Sequence, residues 1–294
     1  VTCLFGEEVI LNSSGLQHVQ CGTSVVAAID TICKGAGIVS TGFEFGNSRK
    51  LGLDLSEIGR TAAMLSKNSL HGGSAGTGTG DVLLRPVAFA DLLENTFLPA
   101  VYADNVQKGR SPLVGKLKES IASAGLSILD DGLLPGGMGS SAVDDEGVPS
   151  RRTAVVDGGM LRSFLYDGLS AGKDGLSSTG NAVRSGYADL PRVGARNILI
   201  ESSAAQDPFE DVKEGVVVGG VIGAHTANPI SGDFSVEARN AFHVVDGELA
   251  GPIKSAMIAG NIYDLLSGLV VGLDHRAVGS IVVPTVRARM RVVG

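Results

Sequence analysis

The stretch GDVLLRPVAFADLLENTFLPAVYAD, Gly80 to Asp104, turns an apolar strand directly into a helix. Asp81 to Arg85 reads as the strand. Pro86 then suits the first helical position, where a missing N–H costs nothing and the fixed φ is already helical. Just upstream, GGSAGTGTG (Gly72 to Gly80) has no apolar period and reads as a linker over 73–80. A phosphate-binding loop would need Gly-Lys-Ser/Thr entering a helix. Here Gly80 is followed by Asp81 and a strand, and that carboxylate would repel phosphate.

Outward from this junction, strands outnumber helices. Before it, Glu8 to Asn12 is strand-like and Asn12-Ser-Ser-Gly15 turn-like, followed by β-branched stretches over Val19–Ile29 and Gly37–Phe45. Asp54-Leu-Ser-Glu57 forms an acidic capping box, and Ile58, Ala62 and Leu65 give a helical stripe to about Lys67. Beyond it, Ser111-Pro112 predicts a second helix with Leu113, Leu117 and Ile121 on one face. Two hairpins follow, around Asp157-Gly158-Gly159 and around Asp246-Gly247. Further strands are expected at Asn197–Ile200, Gly215–Ile222, Val282–Val283 and Val286–Val292. A short helix is expected from Asp207-Pro208 and a longer one over Asn261–Leu269. No βαβ alternation is visible. The pattern predicts an α+β protein with a largely antiparallel, barrel- or sandwich-like core after Gly80.

Composition narrows the function classes. Of 294 residues, 44% are hydrophobic and 19% charged, enough for a substantial core. The 42 glycines are about twice the usual share of roughly 7% and carry no collagen period, so they mark turns. There is no Trp and aromatics are 4%, too few for stacking platforms. A net charge of −7 argues against a nucleic-acid-binding face. The densest basic run, Arg287, Arg289 and Arg291, alternates with apolar residues, as on a half-exposed strand or a partner-binding strip. No run approaches the ~18 apolar residues of a membrane helix, and the start has no signal-peptide pattern. Cys3, Cys21 and Cys33 lack CxxC spacing. They suit buried thiols in a reducing, cytoplasmic setting better than a disulfide frame or a zinc site.

Six segments together carry a family resemblance: ILNSSGL (Ile10–Leu16), GDVLLRPVAFADLL (Gly80–Leu93), DDGLLPGGMGSSAVDDEGVPSRRT (Asp130–Thr153), STGNAVR (Ser178–Arg184), NPISGDFSVEA (Asn228–Ala238) and GPIKSAMIAGNIYDLL (Gly251–Leu266). Running in family order, they resemble the TldD/PmbA family, and within it the PmbA (TldE) branch. Some relatives carry the old label "modulator of DNA gyrase", which the charge pattern does not support as direct DNA binding. The resemblance implies a zinc peptidase in which a TldD subunit bearing His-Glu-x-x-x-His pairs with a PmbA-type subunit. In this chain the two ligand positions hold Glu94 and Pro99, and the general-base position holds Asn95. The TldD pattern also takes a third ligand from a cysteine near the C-terminus, and no Cys follows Ala259 here. The resemblance therefore implies a chain with no zinc or other cofactor of its own, the metal residing in an HExxxH-bearing paralogue. It also places residues 1–72 in the C-terminal part of the family's α/β N-terminal domain and 81–294 in its C-terminal domain. The family has a sizeable segment before ILNSSGL, so the sequence is either a trimmed form or a short member.

Other constellations stay open. Asp130-Asp131 and Asp144-Asp145-Glu146 could bind a hard cation or do acid–base work, but the spacing has no calcium-loop ladder. The alternative is turn-forming Asp side chains, with Asp144 or Asp145 pairing to Arg151 or Arg152. Among the five histidines none lies in HExxH, and no G-x-S-x-G elbow occurs. His225 lies in the polar loop that also carries Asn228, Ser231 and Asp233. That loop could hold an extended peptide or a partner subunit, or simply cap itself as an Asx turn. The expected function is a non-catalytic subunit of a peptide-degrading or peptide-processing heterodimer. The rivals are a stand-alone homodimeric binding or regulatory protein, and a non-zinc hydrolase built from His225 and the acidic cluster.

Overall fold

The computed structural model describes residues 1–35 and 37–294. Its first unit is an antiparallel three-stranded sheet of β1 (Thr2–Leu11), β2 (Gln17–Gly35) and β3 (Ile38–Ser48), backed by α1 (Leu55–Asn68). The Asn12 carboxamide oxygen accepts from the N–H groups of Ser14 (2.9 Å) and Leu16 (3.1 Å), so the first turn is the self-bonded Asx turn its sequence predicts. β2, at 19 residues, is far longer than β1 at 10 or β3 at 11. β1 pairs with it over Gln17–Val26, whereas β3 pairs over Val25–Gly35, so the two flanking strands overlap only at Val25 and Val26. Asp54 caps α1 by accepting from Glu57 N–H at 2.9 Å.

The expected linker is largely paired backbone. Gly73–Ser74 forms β4, and β5 runs Gly78–Leu84, so its last three residues open a barrel strand. Next come α2 (Pro86–Asn95), α3 (Phe97–Val101) and α4 (Ala103–Gln107), then β6 (Leu126–Asp131), β7 (Arg152–Asp157) and β8 (Met160–Leu161). The helix expected at Ser111-Pro112 does not form. Gly115 and Lys118 both take positive φ, and Ser111 Oγ bonds locally to Leu113 N–H (3.1 Å), holding the segment as turns. Leu113 is still fully buried, but Leu117 is exposed.

The remainder comprises α5 (Gly168–Asp174), β9 (Ala182–Val183), β10 (Arg192–Val193), β11 (Ile198–Ser202), β12 (Glu214–Ile222), β13 (Asp233–Val245), β14 (Glu248–Ser255), β15 (Met257–Asn261), α6 (Ile262–Ser267), β16 (Val270–Val271), β17 (Arg276–Val278), β18 (Ile281–Val283) and β19 (Val286–Val293). Asp207-Pro208 opens turns, because Asp207 spends its carboxylate on Phe209 N–H at 2.9 Å. Both predicted hairpins are present. Gly158 and Gly159 in one turn, and Asp246 and Gly247 in the other, take the positive φ of a two-residue loop that follows strand twist.

Strand order explains the core. The largest sheet runs β12-β5-β19-β15-β13-β14-β4, and β12 also pairs with β13. Those five strands, β12, β5, β19, β15 and β13, therefore close a barrel with no free edge between them. A six-stranded sheet, β17-β18-β11-β6-β7-β8, lies beside it. The parallel pairs β5–β12, β11–β18 and β4–β14 interrupt an otherwise antiparallel arrangement. β19 alternates as predicted: Val286, Ala288, Met290 and Val292 are buried, while Arg289 and Arg291 are exposed. α2 is apolar around most of its circumference, burying Ala88, Phe89, Ala90, Leu92 and Leu93, because it packs on β12 and also touches β17 and β18. No helix among the described residues is long and apolar enough to cross a membrane. The cysteines depart from expectation: Cys3 and Cys21 are exposed and Cys33 half-buried, since β1 and the first half of β2 have little packed against them.

Candidate functional site: a cavity beside the α2 helix

Glu94, Asn95 and Pro99, which the resemblance sets at the ligand and general-base positions, lie where α2 gives way to α3. Thr96 leaves helical geometry (φ −122°, ψ −60°) and turns its hydroxyl back to the Leu92 carbonyl, so the two helices are separate segments. Glu94 is exposed on the last turn of α2. Asn95 donates its amide to the Asp91 carbonyl at 2.8 Å. Pro99 has no side-chain donor, and its carbonyl accepts from Asn105 Nδ2 at 2.8 Å. A tetrahedral zinc site needs three or four N, S or O ligands converging on one point. A lone carboxylate, an amide already bonded to backbone and a proline do not fit that ion. Among the described residues no group of three or more His, Cys, Asp or Glu converges as a metal site.

On the same helix, α2 forms one wall of a cavity of about 1130 Å³ between the first unit and the barrel. β3 and α1 supply Phe43, Phe45, Ile58 and Leu65; the barrel supplies Val221, Arg239 and Phe242; α2 and its cap supply Arg85, Val87 and Asp91. Polar side chains clasp the free edge of β3 to the rest of the molecule. Asn240 donates to the Thr41 carbonyl (2.9 Å), Arg276 to the Phe45 carbonyl (2.6 Å), and Asn47 exchanges two bonds with Gly279. Arg276 also pairs with Glu44 and lies over the Phe45 ring at 5.3 Å, while Arg239 lies over Phe43 at 5.5 Å. Burial, then the neighbouring Glu94 charge, pushes the Asp91 carboxyl up to about 6. Sequence reading missed this site. The available signal was Asp91 itself, an acid within the buried run VAFADLL.

His225 sits exposed in a single 3-10 turn, and neither it nor Asn228, Ser231 or Asp233 lines the cavity. That loop satisfies itself. Asn228 Oδ1 accepts from Ile230 N–H (2.9 Å), Ser231 Oγ donates to Asp233 (2.6 Å), and Asn261 Nδ2 donates to Asp233 Oδ1 (2.8 Å). Those bonds from Ser231 and Asn261 hold the Asp233 carboxyl below its ordinary range.

The acidic cluster is likewise committed. Asp144, fully buried, accepts from Glu146 N–H (3.0 Å), Val148 N–H (2.9 Å) and Ala182 N–H (3.0 Å). Asp145 accepts from Arg184 N–H at 2.6 Å, and Glu146 from Gly168 N–H at 2.7 Å. Asp130, also buried, accepts from Asn181 Nδ2 and from Arg196 N–H (2.7 Å); burial outweighs these bonds and raises its carboxyl to about 6. The expected pairing with Arg151 or Arg152 is absent, and Arg152 pairs with Glu201 (3.0 Å) instead. These carboxylates stitch loops together through backbone N–H groups. No hydrogen bond or ion pair among the described residues joins them to His225.

A closed five-stranded barrel and a mixed six-stranded sheet, with α2 packed between them, make up the domain. The family described as PmbA/TldA metallopeptidase C-terminal domain matches residues 77–294, and the chain belongs to this PmbA/TldD family. TldE from Thermococcus kodakarensis superposes with TM-score 0.91 at 28% identity, covering 99% of this chain and 68% of that one. A Thermotoga maritima protein described as a candidate modulator of a DNA gyrase superposes with TM-score 0.92 at 30% identity, covering 99% and 67%. A Methanocaldococcus jannaschii protein without an assigned function is 37% identical over 277 residues, 94% of this chain. The chain spans 64% of that relative's length.

Proposed function

We propose that this chain is the metal-free, TldE/PmbA-like half of a peptide-degrading or peptide-processing heterodimer, working in the cytoplasm beside an HExxxH-bearing paralogue that holds the zinc. The observation that carries the reading is the set of side chains at the ligand positions: Glu94 exposed, Asn95 bonded to Asp91, and Pro99 without a donor. The likeness to a TldE structure supports the branch. In this reading the chain contributes an interface and a wall that encloses extended peptides, while the partner's metal activates water. The division into 1–72, a junction at 73–80 and 81–294 belongs to the same proposal. The test is to assay unstructured peptides with this chain alone, the paralogue alone and the mixture. Chelator-sensitive cleavage that needs both is expected. Chelator-resistant cleavage by this chain alone, lost in His225→Ala, would overturn the proposal in favour of a non-zinc hydrolase.

A further inference from the structure

We propose that the cavity beside α2 takes a short apolar peptide with both ends free, its ammonium group meeting Asp91 and its carboxylate meeting Arg85. This deepens the subunit reading by naming a ligand class for the cavity wall.

All but two of the charged side chains lining the cavity are already paired or hydrogen-bonded. Arg276 is paired with Glu44 and bonded to the Phe45 carbonyl. Arg239 lies 3.6 Å from Asp30 and over Phe43. Asp274 accepts from Thr285 N–H (2.9 Å) and Oγ (2.6 Å). Asp54 caps α1, and Glu57 pairs with Arg60. Only Arg85 and Asp91 remain, and neither side chain has a hydrogen-bond or ion-pair partner among the described residues. Asp91 is half-buried, and the one charge that acts on it is the like charge of Glu94.

Two opposite, unpartnered charges, exposed Arg85 at the cap of α2 and half-buried Asp91 on its body, select a ligand with two opposite ends. Arg85 and Asp91 are six residues apart, about 9 Å along the axis at 1.5 Å per residue. An extended peptide advances ~3.3–3.6 Å per residue, so a peptide of two to four residues spans that distance. Ile58, Leu65, Val87, Val221 and Phe242 offer its side chains apolar contact. Other classes fit less well. Arginines lie over Phe43 and Phe45, so a nucleobase would have only Phe242, among the aromatic residues lining the cavity, to stack on. A polyanion would meet Asp91 and Glu57, and a bare metal ion would find only scattered carboxylates.

The experiment is calorimetric titration of the whole chain with trileucine, with N-acetyl-trileucine and with trileucine amide. Charge-assisted hydrogen bonds at both ends predict that blocking either end weakens binding about tenfold or more. Asp91→Asn should remove the discrimination against the acetylated peptide and leave that against the amide. Arg85→Gln should do the reverse. Val221→Trp, which fills the cavity from its barrel wall, should abolish binding of all three. Equal affinity for free and blocked peptides, no saturable binding of trileucine, or discrimination unaltered in folded Asp91→Asn would each overturn the proposal. Chelator-sensitive cleavage by the mixed subunits, persisting alongside any of those results, would leave the heterodimer reading intact and remove only this one.

Discussion

Burial raises the carboxyls of both Asp91 and Asp130 to about 6, but Asp91 has no donor and Asp130 has two, so their substitutions separate. Asp91 has a raised carboxyl, an exposed route to water and no donor. Its folded form binds a proton more tightly than its unfolded form, whose carboxyl titrates near the ordinary 3.8. Stability from this group is therefore greatest below about pH 4 and declines as pH rises to about 6. Asp91→Asn removes the penalty. Its melting temperature should exceed the parent's by about 1–3 °C at pH 7.5 and match it near pH 4, read by differential scanning calorimetry. Asp130 is buried against the donors Asn181 and Arg196 N–H. Asp130→Asn turns one acceptor into a donor facing a donor, and should cost about 1–3 kcal/mol in urea unfolding at pH 7. The sequence singled out Asp130 for its neighbours in a Gly-rich acidic block, yet its partners lie about fifty residues on or more, at Asn181 and Arg196. Asp91 drew no notice because a single acid in an apolar helix has no motif, and only the third dimension shows which wall it faces.

Elements were legible where local chemistry decides them. Asp157-Gly158-Gly159 and Asp246-Gly247 dictate two-residue turns, Pro86 dictates a helix start, and alternation in Val286–Val292 dictates a one-sided strand; all four are present. Ser111-Pro112 and Asp207-Pro208 carry a helix-start signal too, but their hydroxyl and carboxylate close local turns before a second helical turn can form. Gly73–Ser74 and Gly78–Gly80 pair into strands that linker-like composition does not reveal, because glycine strands are legible only through their partners: Gly78 lies opposite Val292 and Gly80 opposite Met290. β3 is held by side chains instead of by a further strand, and Arg276 makes the central contact. Glu44 is only 13% exposed in its side chain, so Arg276→Ala strands a carboxylate and should destabilise by about 3 kcal/mol. Adding Glu44→Gln should recover most of that loss, which a double-mutant cycle in urea would measure. A fully additive pair would contradict this picture of the clasp.

At the scale of the whole molecule the α+β class and the antiparallel bias were readable from strand-rich patterning, which left the core barrel- or sandwich-like; closure into a barrel was not readable. Closure depends on β12 pairing with both β5 and β13, strands far apart in sequence, which no local pattern records. The subunit reading makes its prediction here. Mixed with an HExxxH-bearing paralogue at micromolar concentration, the chain should give a heterodimer in light scattering, burying more than ~2,000 Å² in total; strictly monomeric behaviour of the mixture would count against it. The staggered pairing of β2 has a mechanical consequence. Because β1 and β3 overlap on it only at Val25 and Val26, the strand acts as a splint joining two nearly independent zippers. Under a pulling force applied at Val1, β1 should peel away one residue pair at a time and release its length before β3 feels the load. In an optical trap this would appear as a low-force extension followed by a separate, higher-force rupture, the second step carrying α1 with it.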